Sequence, residues 1–436
     1  MPYQSSGGMP MEHASKIGHI KMVGDPHLQR LITEFESTAP TSGDPLGERT
    51  GHIDLNEPSN IHYVIAIDGG EAIVPNQIRA EKQAAFISIC AMLIRMNDIE
   101  EMRNNPIIDP RDLYNRFKDN VWYRPTMIPL SGIRIPGQSV KDSIRKAVDS
   151  TLYYTGLYDT LRFLVSREWD PSFEMGIGDA PHFFCRKCGE KIYVPKSQLI
   201  FRCSNCNNPH TLSDYLGIGE ESYDEWAREE TVKSFRNSLE ALTLFHFLRI
   251  WQNQPEKLKQ ILFVRDGPLM LRASLYRLVD SIRAFVAYLS SRNVPFHIVG
   301  VEKTGEMVNH IEEIKKTLPD PGDYFLPTVP YIIENINGYA FNPKEYRNRV
   351  QFGAKVVVRI GPQHVLPLNI PTNDFLLSPS IDDLLGFRES AGVLSKLITY
   401  RYENAIIPLI LANEYSSISE KPSGDILQTF LSHFIS

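Results

Sequence analysis

The chain has few cysteines, no long apolar run and no excess of basic residues. Five cysteines among 436 residues are too few for a disulfide framework, and four of them form two CxxC pairs. No apolar run approaches the length of a membrane span; the stretch Ala405 to Ala412 is short and interrupted by Pro408. The N-terminal MPYQSSGGMPMEHASKIGHIK lacks the apolar core of a secretory signal. We therefore expect a cytoplasmic protein without membrane association.

The formal net charge of -6 provides no global basic field. A nucleic-acid site would therefore have to be a local groove. The sequence contains no GxxxxGK[ST] phosphate-binding loop. The 42% hydrophobic and 22% charged fractions are those of an ordinary globular protein, and the length allows two or three domains or one large domain with insertions.

Strand-like runs alternate with long helical patterns from residue 61 onward, which predicts an α/β layer architecture. Residues 61–68 form a predicted strand, Asp68 to Glu71 a turn, and Ala72 to Val74 the returning strand of a hairpin. Residues 1–60 are expected to be a lead-in with one short helix around His27 to Phe35. The run from Tyr223 to Trp251 is predicted to be a long amphipathic helix. Its buried stripe consists of Leu239, Leu242, Phe245 and Leu248.

Two CxxC pairs lie within residues 170–220, which we interpret as an inserted zinc ribbon. Cys185 and Cys188 are separated by 14 residues from Cys203 and Cys206. Two such knuckles complete a tetrahedral thiolate site for structural Zn²⁺. The segments 191–194 and 199–202 are predicted to pair as the ribbon hairpin, and His210 could substitute for one ligand. A redox dithiol is the alternative, and the ribbon could contact nucleic acid, dock a partner or only staple the insertion.

Two strand-like runs end in Asp-Gly and are the candidates for a catalytic site. Asp68 closes VIAID and Asp266 closes ILFVRD. If these strands are neighbours, the two carboxylates would form a cradle for divalent metal, with Glu240 of the intervening helix as a third ligand. Each residue has a simpler interpretation: an Asp before Gly is commonly a turn residue, and a helix Glu is commonly solvated. The alternatives to Glu240 on the same helix are Glu225, Glu229 and Glu230.

The order of several short motifs resembles that of the NurA nuclease family over most of residues 61–418. The motifs are IDGG, the helix with Arg236-x-x-x-Glu240, VRDGPL, IVGVEK ending at Lys303, KVVVRI, and PLILANEY. The resemblance implies an RNase H-like core with a mixed central sheet, made of residues 61–169 and 221–436. It also implies a DNA nuclease, exonuclease and single-strand endonuclease, that uses Mn²⁺ or Mg²⁺, with two ions expected. The implied assembly is a homodimer working with a HerA-type hexameric ATPase on DNA ends, in repair or in anti-phage defence.

Carried over by position, the resemblance makes Asp68, Glu240 and Asp266 the metal ligands and places Lys303 near phosphate. Arg265 and Arg359 are further candidates to neutralise phosphate charge. The family's C-terminal Tyr and His correspond here to Ala405 and Asn413, so the last catalytic position is an Asn without acid–base capacity. His364 is a candidate to replace that histidine.

Two other functions fit parts of the sequence. A zinc-ribbon adaptor on a catalytically decayed core would explain the absent histidine, but not the retained acidic residues. An actin-like ATPase would also use an Asp-Gly turn. It would need a glycine-rich phosphate loop, which neither 296–305 nor 353–362 provides.

Overall fold

The computed structural model describes residues 22, 25–34, 49–77, 81–104, 117–173, 181–195, 198–220, 225–344, 349–399 and 405–435. The chain divides into two compact units, Met1–Asp44 and Pro45–Ser436. The described part of the first unit contains helix α1, Pro26–Glu34, which matches the predicted short helix. The second unit is Pro45–Ser436, and the rest of the described fold belongs to it.

One nine-stranded sheet forms the centre of the second unit, and two small hairpins accompany it. The strands are β1 Thr50–His52, β2 Tyr63–Pro75, β3 Gln83–Arg95, β4 Val121–Pro129, β5 His182–Phe184, β6 Lys191–Tyr193, β7 Ile200–Arg202, β8 Pro209–Thr211, β9 Ile261–Asp266, β10 His297–Val301, β11 Asp323–Phe325, β12 Gly353–Gly361 and β13 His364–Pro371. The large sheet has the order β1-β11-β12-β13-β10-β9-β2-β3-β4. Strand β9 is parallel to both β2 and β10, whereas the outer pairs are antiparallel. The predicted mixed sheet is therefore confirmed.

Helices cover the sheet on both faces. They are α2 Met96–Asn104, α3 Val140–Thr155, α4 Tyr158–Ser166, α5 Glu225–Trp251, α6 Pro255–Leu258, α7 Tyr276–Ser291, α8 Glu306–Ile314, α9 Val329–Tyr331, α10 Phe387–Ser395, α11 Ile407–Ser416 and α12 Asp425–Phe434. Short 3₁₀ turns span Lys118–Asn120, Leu212–Leu216, Ala273–Leu275, Lys315–Thr317 and Ile381–Asp383, and π turns span Ile332–Ile336 and Glu420–Gly424. None of the helices in the described ranges is both long and apolar enough to cross a membrane.

Each sheet face has its own core because side chains alternate along the strands. On one face, Ile65, Ile67 and Phe263 pack with α3, α4, α5 and α7. On the other face, Ala66 and Val264 pack with α10 and α11. We call these the α5 face and the α11 face. The face to which a side chain of β2 or β9 points decides which helices it meets.

The predicted turn at Asp68 to Glu71 is wrong. Strand β2 continues through Asp68, Gly69 and Gly70 to Pro75, and it pairs without interruption with β3 over thirteen residue pairs. The turn propensity of Asp-Gly is overridden because β3 supplies a hydrogen-bonding partner along the whole length of β2. Asp68 is thus a buried mid-strand residue, paired opposite Cys90.

Most other predicted elements are present with shifted ends. The stripe of α5 is buried as expected, but Ser238 to Phe245 are buried at every position. The middle of α5 is therefore enclosed on all sides, not amphipathic. Near the C-terminus, α10 begins at Phe387 and ends at Ser395. Strands β4 and β13 were not predicted.

Gly70 determines how closely α11 approaches the sheet. A Cβ on Gly70 would lie 2.0 Å from the carbonyl oxygen of Ser416, the last residue of α11. The Ser88 hydroxyl of β3 donates a hydrogen bond to the same oxygen. The missing side chain of Gly70 therefore allows the end of α11 to lie against β2.

We expect Gly70→Ala to lower the free energy of unfolding by about 1–3 kcal/mol, because the end of α11 must move to accommodate the methyl group. The measurement is urea unfolding. Gly424→Ala is the matched control, since that glycine has φ -60° and the nearest atom to its added Cβ lies 3.4 Å away. Equal stability of Gly70→Ala and wild type would contradict this role.

Candidate functional site: a carboxylate pair and a four-cysteine cluster

Asp68 and Asp266 meet where two central parallel strands run side by side. The register pairs Ile67 with Arg265, so Asp68 and Asp266 are the next residues along β2 and β9. Asp266 also lies beside Val301 of β10. Beyond it, the strand ends and Gly267 adopts φ +87°. Two acidic residues that are distant in sequence are therefore neighbours on the sheet, which meets the condition that the sequence left open.

The Asp68 carboxylate is buried, with 2% of the residue exposed. Its Oδ1 accepts a hydrogen bond from the Gly69 N–H at 2.8 Å, and its Oδ2 accepts one from the Ser416 hydroxyl at 3.2 Å. Burial, followed by the charges of Asp266 and Glu240, raises the pKa of Asp68 to about 7, against smaller opposing effects of Lys303 and the Gly69 N–H. The cation and hydrogen-bond donors near Asp68 therefore do not offset the cost of burying its negative charge in this structure.

Asp266 is more accessible and has a cation beside it. About a quarter of its side chain is exposed, and its Oδ2 lies 3.2 Å from Nζ of Lys303, whose side chain is 27% exposed. Lys303 follows β10, so the parallel pairing of β9 and β10 brings it to Asp266. The predicted basic residue at the site is therefore present, and it contacts a carboxylate.

Glu240 lies on the opposite side of the sheet from the paired strand carboxylates. Alternation along β2 places Asp68 on the α11 face and Gly69 on the α5 face. A Cβ on Gly69 would lie 2.8 Å from Oε1 of Glu240. Glu240, on α5, therefore reaches the sheet at a position where no side chain intervenes.

The Glu240 carboxylate is already paired with arginines. Its Oε2 accepts hydrogen bonds from Nε and Nη2 of Arg265 at 3.1 and 3.0 Å, and both residues are almost fully buried. Its Oε1 lies 3.7 Å from Nη1 of Arg236, which also donates to the Gly69 carbonyl. Burial raises the pKa of Glu240, and Arg265 and Arg236 oppose that rise. In this structure Glu240 is a counter-ion of Arg265, and Arg265 is not exposed to a phosphate.

The carboxylates therefore fit a metal ion only in part. Within the described ranges, the one group of three or more His, Cys, Asp or Glu residues whose ligand atoms all lie within 4.8 Å of one another is the cysteine cluster. Asp68, Glu240 and Asp266 do not form so tight a group. Asp68 and Asp266 do fit a divalent cation, because the charge of Asp266 raises the pKa of Asp68 and a cation would compensate both carboxylates. Such an ion would be held by these two residues.

The remaining predicted residues lie apart from the carboxylate pair or are not engaged with it. Arg359 donates hydrogen bonds to the carbonyl oxygens of Leu318, Pro362 and Lys315, not to a site residue. His364 is buried, and its Nε2 lies 2.9 Å from the Thr399 carbonyl oxygen. Ala405 is buried, and Asn413 is exposed on α11. On α5, Glu229 and Glu230 are exposed, and the side chain of Glu225 lies outside the described residues.

Sequence reasoning missed Ser416 and Glu71. Ser416 is the α11 residue that contacts Asp68, three positions after Asn413. Glu71 forms an ion pair with Arg236, with its Oε2 at 2.6 Å from Nε. No local signal marks Ser416, because its role depends on where α11 ends against β2. Glu71 directly follows IDGG, but it was not considered as a site residue because it was assigned to the predicted turn.

The four predicted cysteines converge. Sγ of Cys185 lies 3.6 Å from Sγ of Cys206, and Sγ of Cys188 lies 3.5 Å from Sγ of Cys203. This is a cluster that could hold a metal ion such as zinc. His210 is buried, and its Nδ1 lies 3.1 Å from Oδ2 of Asp214. The predicted hairpin of 191–194 with 199–202 is wrong: β6 pairs with β5 and β7 pairs with β8, so each cysteine pair has its own hairpin.

Fold and site together define an α/β protein with a large mixed sheet flanked by helices, a central carboxylate pair and a four-cysteine cluster. The chain matches no protein-family model and no curated protein. Among solved structures it is similar to the crystal structure of the NurA nuclease from Sulfolobus solfataricus, at 11% identity and a TM-score of 0.37. That match covers 97% of this chain and 99% of the other. A likeness at this level carries no argument about activity.

We expect Asp68→Asn to stabilise the metal-free protein at about pH 8 but not at about pH 4. The pKa of Asp68 is raised from 3.8 to about 7, so the unfolded chain loses this proton at a lower pH than the native protein. The native state is therefore penalised increasingly as the pH rises between these two values, and fully above the higher one. The asparagine variant removes the penalty, on the order of 1.4 kcal/mol for each unit of pKa shift.

The measurement is the free energy of unfolding in urea across this pH range. Asp280→Asn is the control, because that side chain is 80% exposed. If Asp68→Asn is no more stable than wild type at the higher pH, Asp68 is not under-compensated.

We expect the purified chain to carry one equivalent of zinc, and Cys188→Ser to lose it, because a thiolate ligand is replaced by a poor one. Metal content by mass spectrometry and thermal unfolding measure this. Cys90→Ala is the matched control, since Cys90 lies in β3 outside the cluster. Full zinc in Cys188→Ser would show that the four cysteines do not form the site.

Proposed function

We propose that this chain is a divalent-metal-dependent DNA nuclease of the NurA type, with its mixed sheet as an RNase H-like core. The observation that supports the proposal most is the position of Asp68 beside Asp266 on neighbouring parallel strands, with the pKa of Asp68 raised to about 7. Structural carboxylates are normally compensated by cations or donors. Two carboxylates that repel each other suit a binding site in which the ligand brings the positive charge that compensates them.

Asp68 and Asp266 would hold Mn²⁺ or Mg²⁺ in this proposal. When bound, such an ion supplies Lewis-acid activation of water and stabilises charge on a phosphodiester. The protein's own contribution is to hold the two carboxylates in place. The Gly69 N–H and the Ser416 hydroxyl orient Asp68, and the rigid end of β9 fixes Asp266.

Glu240 contributes to the proposed site through its charge. It raises the pKa of Asp68 from across the sheet, and its own charge is balanced by Arg265. Its predicted role as a third ligand would require Arg265 to release it. We therefore propose that Arg265 compensates the charge of Glu240 and does not contact phosphate.

Lys303 is the proposed phosphate contact. Its ammonium is partly exposed beside Asp266, and it would be freed for an anionic substrate once a cation neutralises that carboxylate. The guanidinium of Arg359 donates hydrogen bonds to backbone carbonyl oxygens, so Arg359 is not part of the proposed substrate contact.

The resemblance of the motif order to the NurA family supports the rest of the proposal. We propose a cytoplasmic homodimer that processes DNA ends with a HerA-type hexameric ATPase, in repair or in anti-phage defence.

A second candidate is an adaptor whose core has lost catalysis. The observation that favours it is the fully paired Glu240–Arg265 contact, together with the exposed Asn413 at the position of the family's histidine. In that case the carboxylate pair would be a remnant, and the cysteine module would carry the function.

Cleavage of end-labelled linear DNA in the presence of Mn²⁺, with and without the ATPase partner, tests the two candidates. We expect wild type to cleave, and Asp68→Asn and Asp266→Asn to lose activity by on the order of 100-fold or more, because transition-state charge stabilisation is removed. Asp280→Asn should retain it. Wild type that cleaves in neither condition would contradict the nuclease and favour the adaptor.

A further inference from the structure

The first cysteine hairpin presents a row of aromatic rings to solvent. In β5 and β6, His182 pairs with Tyr193 and Phe184 pairs with Lys191. Because side chains alternate along each strand, these four side chains share the outer face of the hairpin. Phe183 and Ile192 lie on the inner face and are buried in the main core. We call the outer set, His182, Phe184, Lys191 and Tyr193, the hairpin platform.

The rings of the platform are close together and open to solvent. The His182 ring centroid lies 6.1 Å from that of Phe184 and 6.0 Å from that of Tyr193. Phe184 is 55% exposed and Tyr193 is 44% exposed. Large aromatic side chains with this exposure leave flat apolar surface in contact with water. The platform is thus a surface suited to receive another flat ring.

Positive charge accompanies the rings. Nζ of Lys191 lies over one face of the Tyr193 ring, 4.9 Å from its centroid, and the turn between the two strands exposes Lys187 and one acidic residue, Glu190. The whole chain has a net charge of -6, so this basic feature is local and opposes the overall field. Aromatic rings for stacking with lysines beside them match the chemistry of a nucleobase attached to a phosphate backbone.

The hairpin that carries the platform is anchored to the core. Phe183 anchors the hairpin from below, with its ring 6.1 Å from Phe201 and 5.4 Å from His210 between centroids. Cys185 and Cys188 stand in the turn and belong to the four-cysteine cluster. Because the hairpin backbone is already fixed at both of these points, less conformational freedom is lost when a ligand binds to its outer face.

We propose that the hairpin platform binds single-stranded nucleic acid, with bases stacked on Phe184 and Tyr193 and with Lys191 and Lys187 on the backbone phosphates. This assigns a ligand to the cysteine module and goes beyond the proposed nuclease. It does not depend on cleavage, because the platform uses no residue of the carboxylate pair.

Fluorescence anisotropy with a short labelled oligothymidylate, in buffer without added divalent metal, tests the proposal on the full chain. We expect wild type to bind and each of Phe184→Leu and Tyr193→Leu to weaken binding by about tenfold, because leucine keeps apolar surface but cannot stack. Tyr193→Trp should bind as well as wild type. Tyr339→Leu is the control for an exposed tyrosine elsewhere, since Tyr339 is 72% exposed.

Lys191→Gln should weaken binding and reduce its dependence on salt, because one phosphate contact is lost. Zinc content and thermal unfolding of each variant establish that the module remains folded. Mn²⁺-dependent cleavage is measured separately, so that the platform and the nuclease site are tested independently. A platform variant that loses oligonucleotide binding but keeps the wild-type turnover at saturating DNA would show that only the platform is affected.

Two results would overturn the proposal. One is a wild-type chain that does not bind the oligonucleotide, and the other is equal affinity of wild type and the folded Phe184→Leu/Tyr193→Leu variant. If that variant keeps nucleic-acid binding but loses self-association or a protein partner, the platform is a protein-docking surface instead.

Discussion

The parallel pairing of β2 with β9 is the constraint on which the rest of the site depends. It joins distant parts of the chain in the middle of the sheet and sets Asp68 beside Asp266. Burial and the like charge beside it raise the pKa of Asp68 to about 7, so the native fold is less favourable there than a neutral core would be. A buried carboxylate that lowers the stability of the fold, and that is nevertheless held by hydrogen-bond donors, is characteristic of a binding site.

The glycines that follow Asp68 serve the two faces of the sheet. Gly69 leaves room for Glu240 and Arg236 on the α5 face, and Gly70 leaves room for the end of α11 on the other. A side chain at either position would separate the helices from the strand. The sequence IDGG is therefore explained by close packing from both sides of a continuous strand, where a tight turn had been predicted.

The sequence was sufficient for the α/β class, the long helix α5 and the cysteine cluster, because hydrophobic periodicity and CxxC spacing are local signals. The pairing of β5 with β6 and of β7 with β8 was missed, since short strands carry no mark of their partner. Asp68 and Asp266 were candidates because each ends a strand-like run before a glycine. The sequence does not show to which face of the sheet each strand residue points. Only the structure shows that Glu240 lies on the face of Arg265 and is paired with it.

Direct measurement of Mn²⁺ binding at neutral pH tests the central claim, that Asp68 and Asp266 form a divalent-cation site. We predict that wild type binds Mn²⁺ and releases protons on binding, because the ion must displace the proton of an Asp68 whose pKa is about 7. Electron paramagnetic resonance of free Mn²⁺, combined with calorimetry in buffers of different ionisation enthalpy, measures both quantities. Binding of equal strength by wild type and by Asp68→Asn, with no proton release, would contradict the account.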